Sequence, residues 1–213
     1  MSYYLNLSVL SNNLKNLQNK AERQKLLSAE ARRILSLCEG RPIAEADIAR
    51  EETGRPFFPG SDIDFSISHS GALTAVSLVR GKGLRTGCDV EFVRPRSRAR
   101  EIAEKIFTAP EREYIESGGS FDLTRFYQIW TLKECFIKLR GLSVFDMSGV
   151  PSFVSGEGSL LNTCFEQISF NLYELTGADD ERYILSTAIT GGEELQPEIR
   201  WVSPDFLAAC KIK

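Results

Sequence analysis

With 213 residues and a formal net charge of −3, the chain can bury a substantial core and has no global attraction to nucleic acid. Its 42% hydrophobic and 26% charged residues are those of a globular protein, and no apolar run approaches a membrane span. The start, Met1 to Asn6, lacks a basic region followed by an apolar core, and the 5 cysteines are widely spaced with no Cys-x-x-Cys. No signal peptide, disulfide framework or zinc site is expected, and a reducing, cytoplasmic setting fits best.

Tyr3 to Leu10 alternates apolar and polar residues as a strand does. Leu14 to Cys38 has helical periodicity, with Leu26, Leu27, Ala31, Ile34 and Leu35 on the apolar face and Gly40-Arg41-Pro42 as its stop. This helix is basic at Lys15, Lys20, Arg23, Lys25, Arg32 and Arg33. These cations form either a solvated face or, in part, contacts to a ligand phosphate. Ile43 to Glu52 is a short helix or strand, and residues 54–60 are a turn-rich loop. Asp64 to Ser68 reads as a strand broken by His69-Ser70-Gly71. Leu73 to Val79 reads as another, followed by a buried strand over Thr86 to Val93.

Arg94 to Arg100 is a basic connector, after which the pattern begins again. Ser97 is a candidate cap for a helix over residues 98–107, and Thr108-Ala109-Pro110-Glu111 reads as the start of a second. Phe121 to Leu139 is a long helix with Ile129, Leu132, Phe136, Ile137 and Leu139 on an apolar face and Gly141 as its stop. Residues 165–175, 182–190 and 198–203 read as three strands. Strand, helix and several strands thus occur twice, predicting an α+β chain of two similar lobes, 1–94 and 95–213. A cleft between the lobes would be the place for chemistry.

Two stretches carry candidate chemistry. In the strand over residues 86–93, Asp89 and Glu91 lie at i and i+2 and share a face. That face is either solvated or shared with a divalent cation. In the helix, Glu134 and Lys138 are four apart, which suits a surface ion pair as well as a site. If Asp89, Glu91 and Glu134 converge, three carboxylates with no sulfur or imidazole suit Mg²⁺ rather than zinc. His69 is the only histidine. Trp130 is expected as core or cleft wall.

Gly87-Cys88-Asp89-Val90-Glu91 followed by Trp130-Thr131-Leu132-Lys133-Glu134-Cys135-Phe136-Ile137-Lys138 resembles the paired signature of the 4′-phosphopantetheinyl transferases. Phe65 to Gly71, with Ser68 and His69, and Gly54-Arg55-Pro56-Phe57 resemble two further segments of the Sfp-type branch. The resemblance covers residues 54–141; the flanking regions match only in style. It implies a two-lobed fold about a pseudo-twofold axis, and a monomer with its site between lobes. It implies Mg²⁺-dependent transfer of the phosphopantetheine arm of coenzyme A to a serine of an apo acyl- or peptidyl-carrier protein, releasing 3′,5′-ADP.

Under that resemblance Asp89, Glu91 and Glu134 hold the metal. Glu134 is the candidate base, Lys133 the alternative acid-base group, and Lys133 and Lys138 neutralise phosphates. Arg55, Ser68 and His69 are expected at coenzyme A, and Lys20, Arg23 and Lys25 are candidates for its 3′-phosphate. The competing readings are a non-catalytic coenzyme A or carrier-protein binding module on the same fold, and a metal-dependent phosphoanhydride hydrolase.

Overall fold

The computed structural model describes residues 1–9, 19–160, 167–177, 180–191, 195–202 and 211–212. Two four-stranded sheets are each covered by one long helix. The first half runs β1 (Ser2–Val9), α1 (Lys20–Glu39), a short pair β2 (Ala49–Arg50) and β3 (Pro56–Phe57), then the hairpin β4 (Ile63–Ser70) and β5 (Leu73–Arg80). The second runs β6 (Thr86–Phe92), helices α2 (Ala99–Ile106), α3 (Ala109–Glu116) and α4 (Leu123–Arg140), then the hairpin β7 (Ile168–Thr176) and β8 (Arg182–Thr190). Two short strands follow, β9 (Glu198–Trp201) and β10 (Lys211–Ile212).

The connectivity repeats. The first sheet has the order β4-β5-β1 and the second β7-β8-β6, so each places its opening strand beside the second strand of its hairpin. The α+β class and doubled strand-helix-hairpin pattern expected from the sequence are therefore present. The sheets do not divide at residue 94, however. β6 precedes the basic connector yet pairs with β8, and β9 returns to lie parallel to β1 at the edge of the first sheet.

The helices form where capping and periodicity direct them. The Asn19 side chain accepts a hydrogen bond from the Ala21 N–H, and Gly40, at φ 66, ends α1. Its buried residues Leu27, Ala31, Ile34 and Leu35 include three that pack with Phe65, Val76 and Leu78 of the first sheet. The expected extension back to Leu14 falls partly outside the described residues. α2 starts at Ala99 with Arg98 as cap, and no side chain, Ser97 included, caps it. α3 starts after Thr108, whose N–H donates to Glu111.

Asp122 caps α4 by accepting from the Thr124 and Arg125 N–H groups. α4 is buried on more than the one face its apolar periodicity indicates. It packs on β6 and β8 on one side and against α2, α3 and the turn at residues 144–149 on the other. Helix-period patterning identifies an apolar stripe but not a second partner covering the remaining face.

β4 runs through Ser70 instead of breaking at His69. His69 and Ser70 pair with Thr74 and Leu73 of β5, and the reversal falls on Gly71 at φ 58. This extension by one turn-free pair of residues carries Ser70 alongside β6, where its hydroxyl reaches Glu91.

Candidate functional site

β6 is the hinge of the site. One edge pairs with β8; along the other, alternate N–H groups are taken by serine side chains of β4. Cys88 N–H donates to Ser66 Oγ at 3.1 Å, Val90 N–H to Ser68 Oγ at 3.2 Å and Phe92 N–H to Ser70 Oγ at 3.0 Å. The spacing of i, i+2 and i+4 on one strand face matches the same spacing of N–H groups along β6. Ser68 Oγ then donates to Asp89 Oδ1 at 2.7 Å, and Ser70 Oγ to Glu91 Oε2 at 2.9 Å.

α4 presses onto β6 at Gly87. A Cβ there would lie 2.3 Å from the Cys135 carbonyl oxygen and 3.0 Å from Leu139 Cβ, so only glycine permits this approach. The contact brings Glu134 and Lys138, one helical turn apart, over Asp89 and Glu91. Asp89, Glu91, Glu134 and Lys138 line a cavity of about 410 Å³ together with Ser68, His69 and Trp130. Lys138 Nζ donates to Asp89 Oδ1 at 2.6 Å and to Ser68 Oγ at 3.2 Å.

The acids of this cavity are under electrostatic load. Burial, and then the charge of Asp89, pushes Glu134 up to about 7. Burial and Asp89 also raise Glu91, against the Ser70 hydrogen bond. Burial opposes the charge on Lys138, but Asp89 beside it prevails and holds the ammonium above the ordinary lysine range. Burial and the Lys138 charge lower His69, favouring the neutral imidazole.

Among the described residues, no three His, Cys, Asp or Glu side chains are drawn together as a finished metal cage. Like charges do not gather closely unaided, and the nearest counter-charge to Asp89 is Lys138. The donor set nevertheless fits a hard cation. Asp89 is 5% exposed, and its Oδ2 is a buried oxygen with no hydrogen-bond partner among the described residues. Asp89, Glu91 and Glu134 offer only carboxylate oxygens, the donors that Mg²⁺ takes.

Two candidates of the sequence lie elsewhere. Lys133 is fully buried on another side of α4, since adjacent helical positions point about 100° apart. Its Nζ lies 3.1 Å from Glu111 Oε2 and donates to the Val150 carbonyl at 3.1 Å. Burial lowers the Lys133 pKa even with Glu111 opposing it. Glu111 in turn accepts from the Phe153 N–H at 2.9 Å. This is an internal ion pair that ties α3 to α4, and neither partner lines the cavity.

Arg55 is likewise buried, at 8% exposure. Its guanidinium grips Asp64 with two hydrogen bonds at 2.9 and 2.5 Å, and donates to the carbonyls of Lys138 at 2.8 Å and Thr86 at 3.1 Å. It therefore joins the start of β6 to the end of α4. The neighbouring Pro56 lines the cavity, while Arg55 does not.

The basic residues of α1 divide. Arg23 donates to the Gly71 carbonyl at 2.9 Å. Lys25 lines an adjoining groove of about 680 Å³, whereas the Lys20 side chain is outside the described set. Gln24, Arg32 and Arg50 line both the cavity and that groove; from the sequence Arg32 stands only among the cations of the helix, and Gln24 and Arg50 were not candidates. Arg96 of the connector was also missed. Its guanidinium lies 4.8 Å from the Trp130 ring centroid, and its charge favours ionised Glu91 and Glu134. Arg32 sat in a helix with a charge pattern ordinary for a solvated face; only the tertiary contact distinguishes it.

Residues 85–188 match the model of the 4′-phosphopantetheinyl transferase superfamily. This segment carries Asp89, Glu91, Glu134 and Lys138. The 4′-phosphopantetheinyl transferase AcpT of Salmonella typhi is 37% identical over 103 residues, covering 47% of this chain and 53% of the relative. AcpT of Escherichia coli K12 is 33% identical over 125 residues, covering 58% and 63%. The 4′-phosphopantetheinyl transferase HetI of Nostoc is 28% identical over 149 residues, covering 66% and 59%. The matches thus span about half to three-fifths of these relatives' lengths.

Proposed function

We propose that the chain is a Mg²⁺-dependent 4′-phosphopantetheinyl transferase of the Sfp type, acting on coenzyme A and an apo acyl- or peptidyl-carrier protein. The observation that carries this reading is the cavity where Asp89, Glu91 and Glu134 meet Lys138, inside the segment that matches the superfamily model. The doubled connectivity within one chain supports a site built by a monomer; a cytoplasmic setting is part of the same proposal.

In this reading Asp89, Glu91 and Glu134 would hold the metal, with the unpartnered Asp89 Oδ2 as one donor. Bound Mg²⁺ would supply charge neutralisation to the pyrophosphate of coenzyme A. Lys138, already kept charged by Asp89, adds a cation on the same wall. His69, neutral, offers a ring N–H to an anionic oxygen. Arg32 and Arg50, where the cavity opens into its adjoining groove, are the residues we assign to the nucleotide end.

The carrier serine oxygen attacks the β-phosphorus, forming a phosphodiester as the bond to 3′,5′-ADP breaks. The serine proton passes to Glu134, directly or through water, a carboxylate whose basicity the bound cation would lower. Lys133 is not proposed for any step, because its ammonium is committed to Glu111.

The test is incubation with coenzyme A, Mg²⁺ and a panel of apo carrier proteins. A carrier gaining the mass of phosphopantetheine is expected, and none gaining it would overturn the reading. Coenzyme A binding indifferent to a chelator, without transfer, would identify a binding module instead.

A further inference from the structure

We infer that Ser70 is a positioning residue that orients Glu91 and disfavours its binding a metal ion through both oxygens, and so biases the site toward small octahedral cations. The inference rests on the metal site proposed above. Ser70 does not line the cavity, and its role is set by the exhaustion of its hydrogen-bonding choices. A serine hydroxyl has a single proton to give. Ser70 Oγ accepts from the Phe92 N–H at 3.0 Å and spends that proton on Glu91 Oε2 at 2.9 Å.

Both partners belong to β6, and the register of β4 against β6 fixes the donor one strand away. Glu91 therefore has Oε2 engaged by Ser70, and among the described residues Oε1 has no hydrogen bond. Ser68 performs the same operation on Asp89: it accepts from Val90 N–H and donates to Oδ1, while Oδ2 stays without a partner among the described residues. Two carboxylates at i and i+2 are each held by one oxygen, through serines that are themselves at i and i+2, with Lys138 sharing Asp89 Oδ1.

A carboxylate oxygen that already accepts a hydrogen bond keeps a second lone pair but is a weaker and more narrowly oriented donor, which biases coordination toward the other oxygen. Mg²⁺ accepts such single-oxygen ligands at about 2.0–2.1 Å in an octahedron, whereas Ca²⁺ takes six to eight oxygens at about 2.3–2.6 Å and uses bidentate carboxylates readily. The serine pair consequently favours the smaller ion. Removing the Ser70 hydroxyl frees Oε2, so Glu91 binds through both oxygens more readily.

The experiment uses the full chain with Mn²⁺ as probe, its binding followed by electron paramagnetic resonance and reversed by Mg²⁺ or by Ca²⁺. In Ser70→Ala, Mg²⁺ affinity is expected to fall about tenfold or more, as for other outer partners of metal ligands, with Ca²⁺ affinity falling less or rising. The ratio of Ca²⁺ to Mg²⁺ affinity increases accordingly, and Ser70→Thr restores it. Equal losses for both ions, or no change in the ratio, would overturn the inference and leave the proposed transfer standing. If the unsubstituted chain binds no Mn²⁺, both fail. Ser70→Cys, similar in volume but a weak donor, gives a second variant: should the alanine variant not fold, an unchanged ratio in the cysteine variant overturns the inference.

Discussion

The approach of α4 to β6 can be tested by Gly87→Ala. The added methyl carbon would sit 2.3 Å from the Cys135 carbonyl oxygen, a backbone atom in the middle of a buried helix. The carbonyl would have to retreat by about 1 Å to reach ordinary contact. A side chain could swing aside; α4, packed between the second sheet and α2 and α3, has to move as a body. Overpacking of this kind costs about 1–3 kcal/mol, or a melting temperature lower by about 2–12 °C for a chain of this size.

The functional effect is larger. Glu134 precedes Cys135 directly, and if it is the base of the proposed transfer, a displacement of about 1 Å lowers the rate by about 100-fold. Thermal unfolding by circular dichroism gives the first quantity and single-turnover transfer to an apo carrier gives the second. Gly149→Ala is the control, since its Cβ would meet nothing within 4 Å. A Gly87→Ala variant as stable and as active as the parent would refute the claim that this contact positions the acid.

Further expectations concern the charged residues. Lys133→Met should cost about 3–5 kcal/mol, because Glu111 is left buried without its counter-ion; the double variant Lys133→Met with Glu111→Gln should regain much of that loss. Denaturant titration measures both, and loss of transfer at full stability in Lys133→Met would instead return this lysine to the chemistry. Arg55→Ala should destabilise by a similar amount through the stranded Asp64, with Arg55→Lys intermediate because an ammonium lacks the two-pronged grip. A selective rise in KM for coenzyme A with unchanged stability would contradict that assignment.

Asp89→Asn and Glu134→Ala should each abolish transfer while leaving the circular dichroism spectrum intact. Transfer should also depend on pH through Glu134. Its folded value of about 7 exceeds the ordinary 4.5, so ionisation in the fold is completed only above neutrality. Metal affinity and rate at subsaturating Mg²⁺ rise from pH 6 to 8, and saturating Mg²⁺ moves the rise to lower pH. The same shift makes Glu134 reduce stability as pH rises from about 4.5 to 7, because the folded state binds the proton more tightly in that window. A rate independent of pH across neutrality at low Mg²⁺ would remove Glu134 as the titrating group.

By itself the sequence determined the parts whose cause is local. Apolar periodicity placed the longer strands and helices but not the short strands β3 and β10, and the Thr108-Glu111 start and Gly141 stop appear where the residue types require. The i, i+2 spacing of Asp89 and Glu91 fixed that they share a face of β6, and the i, i+4 spacing of Glu134 and Lys138 did the same on α4. Tertiary structure decided which of the remaining charges face the cavity. Lys133 and Arg55 have the same chemistry as Lys138 and Arg32, yet the first pair is turned inward to Glu111 and Asp64 while the second lines the cavity. A charge inside an apolar stretch does not reveal its counter-ion when the partner lies 22 positions away, as Glu111 does from Lys133. The serines of β4 pose the same problem more sharply. Their alternation is visible in the chain, but their purpose arises only when the register between two sheets sets each hydroxyl against one N–H and one carboxylate.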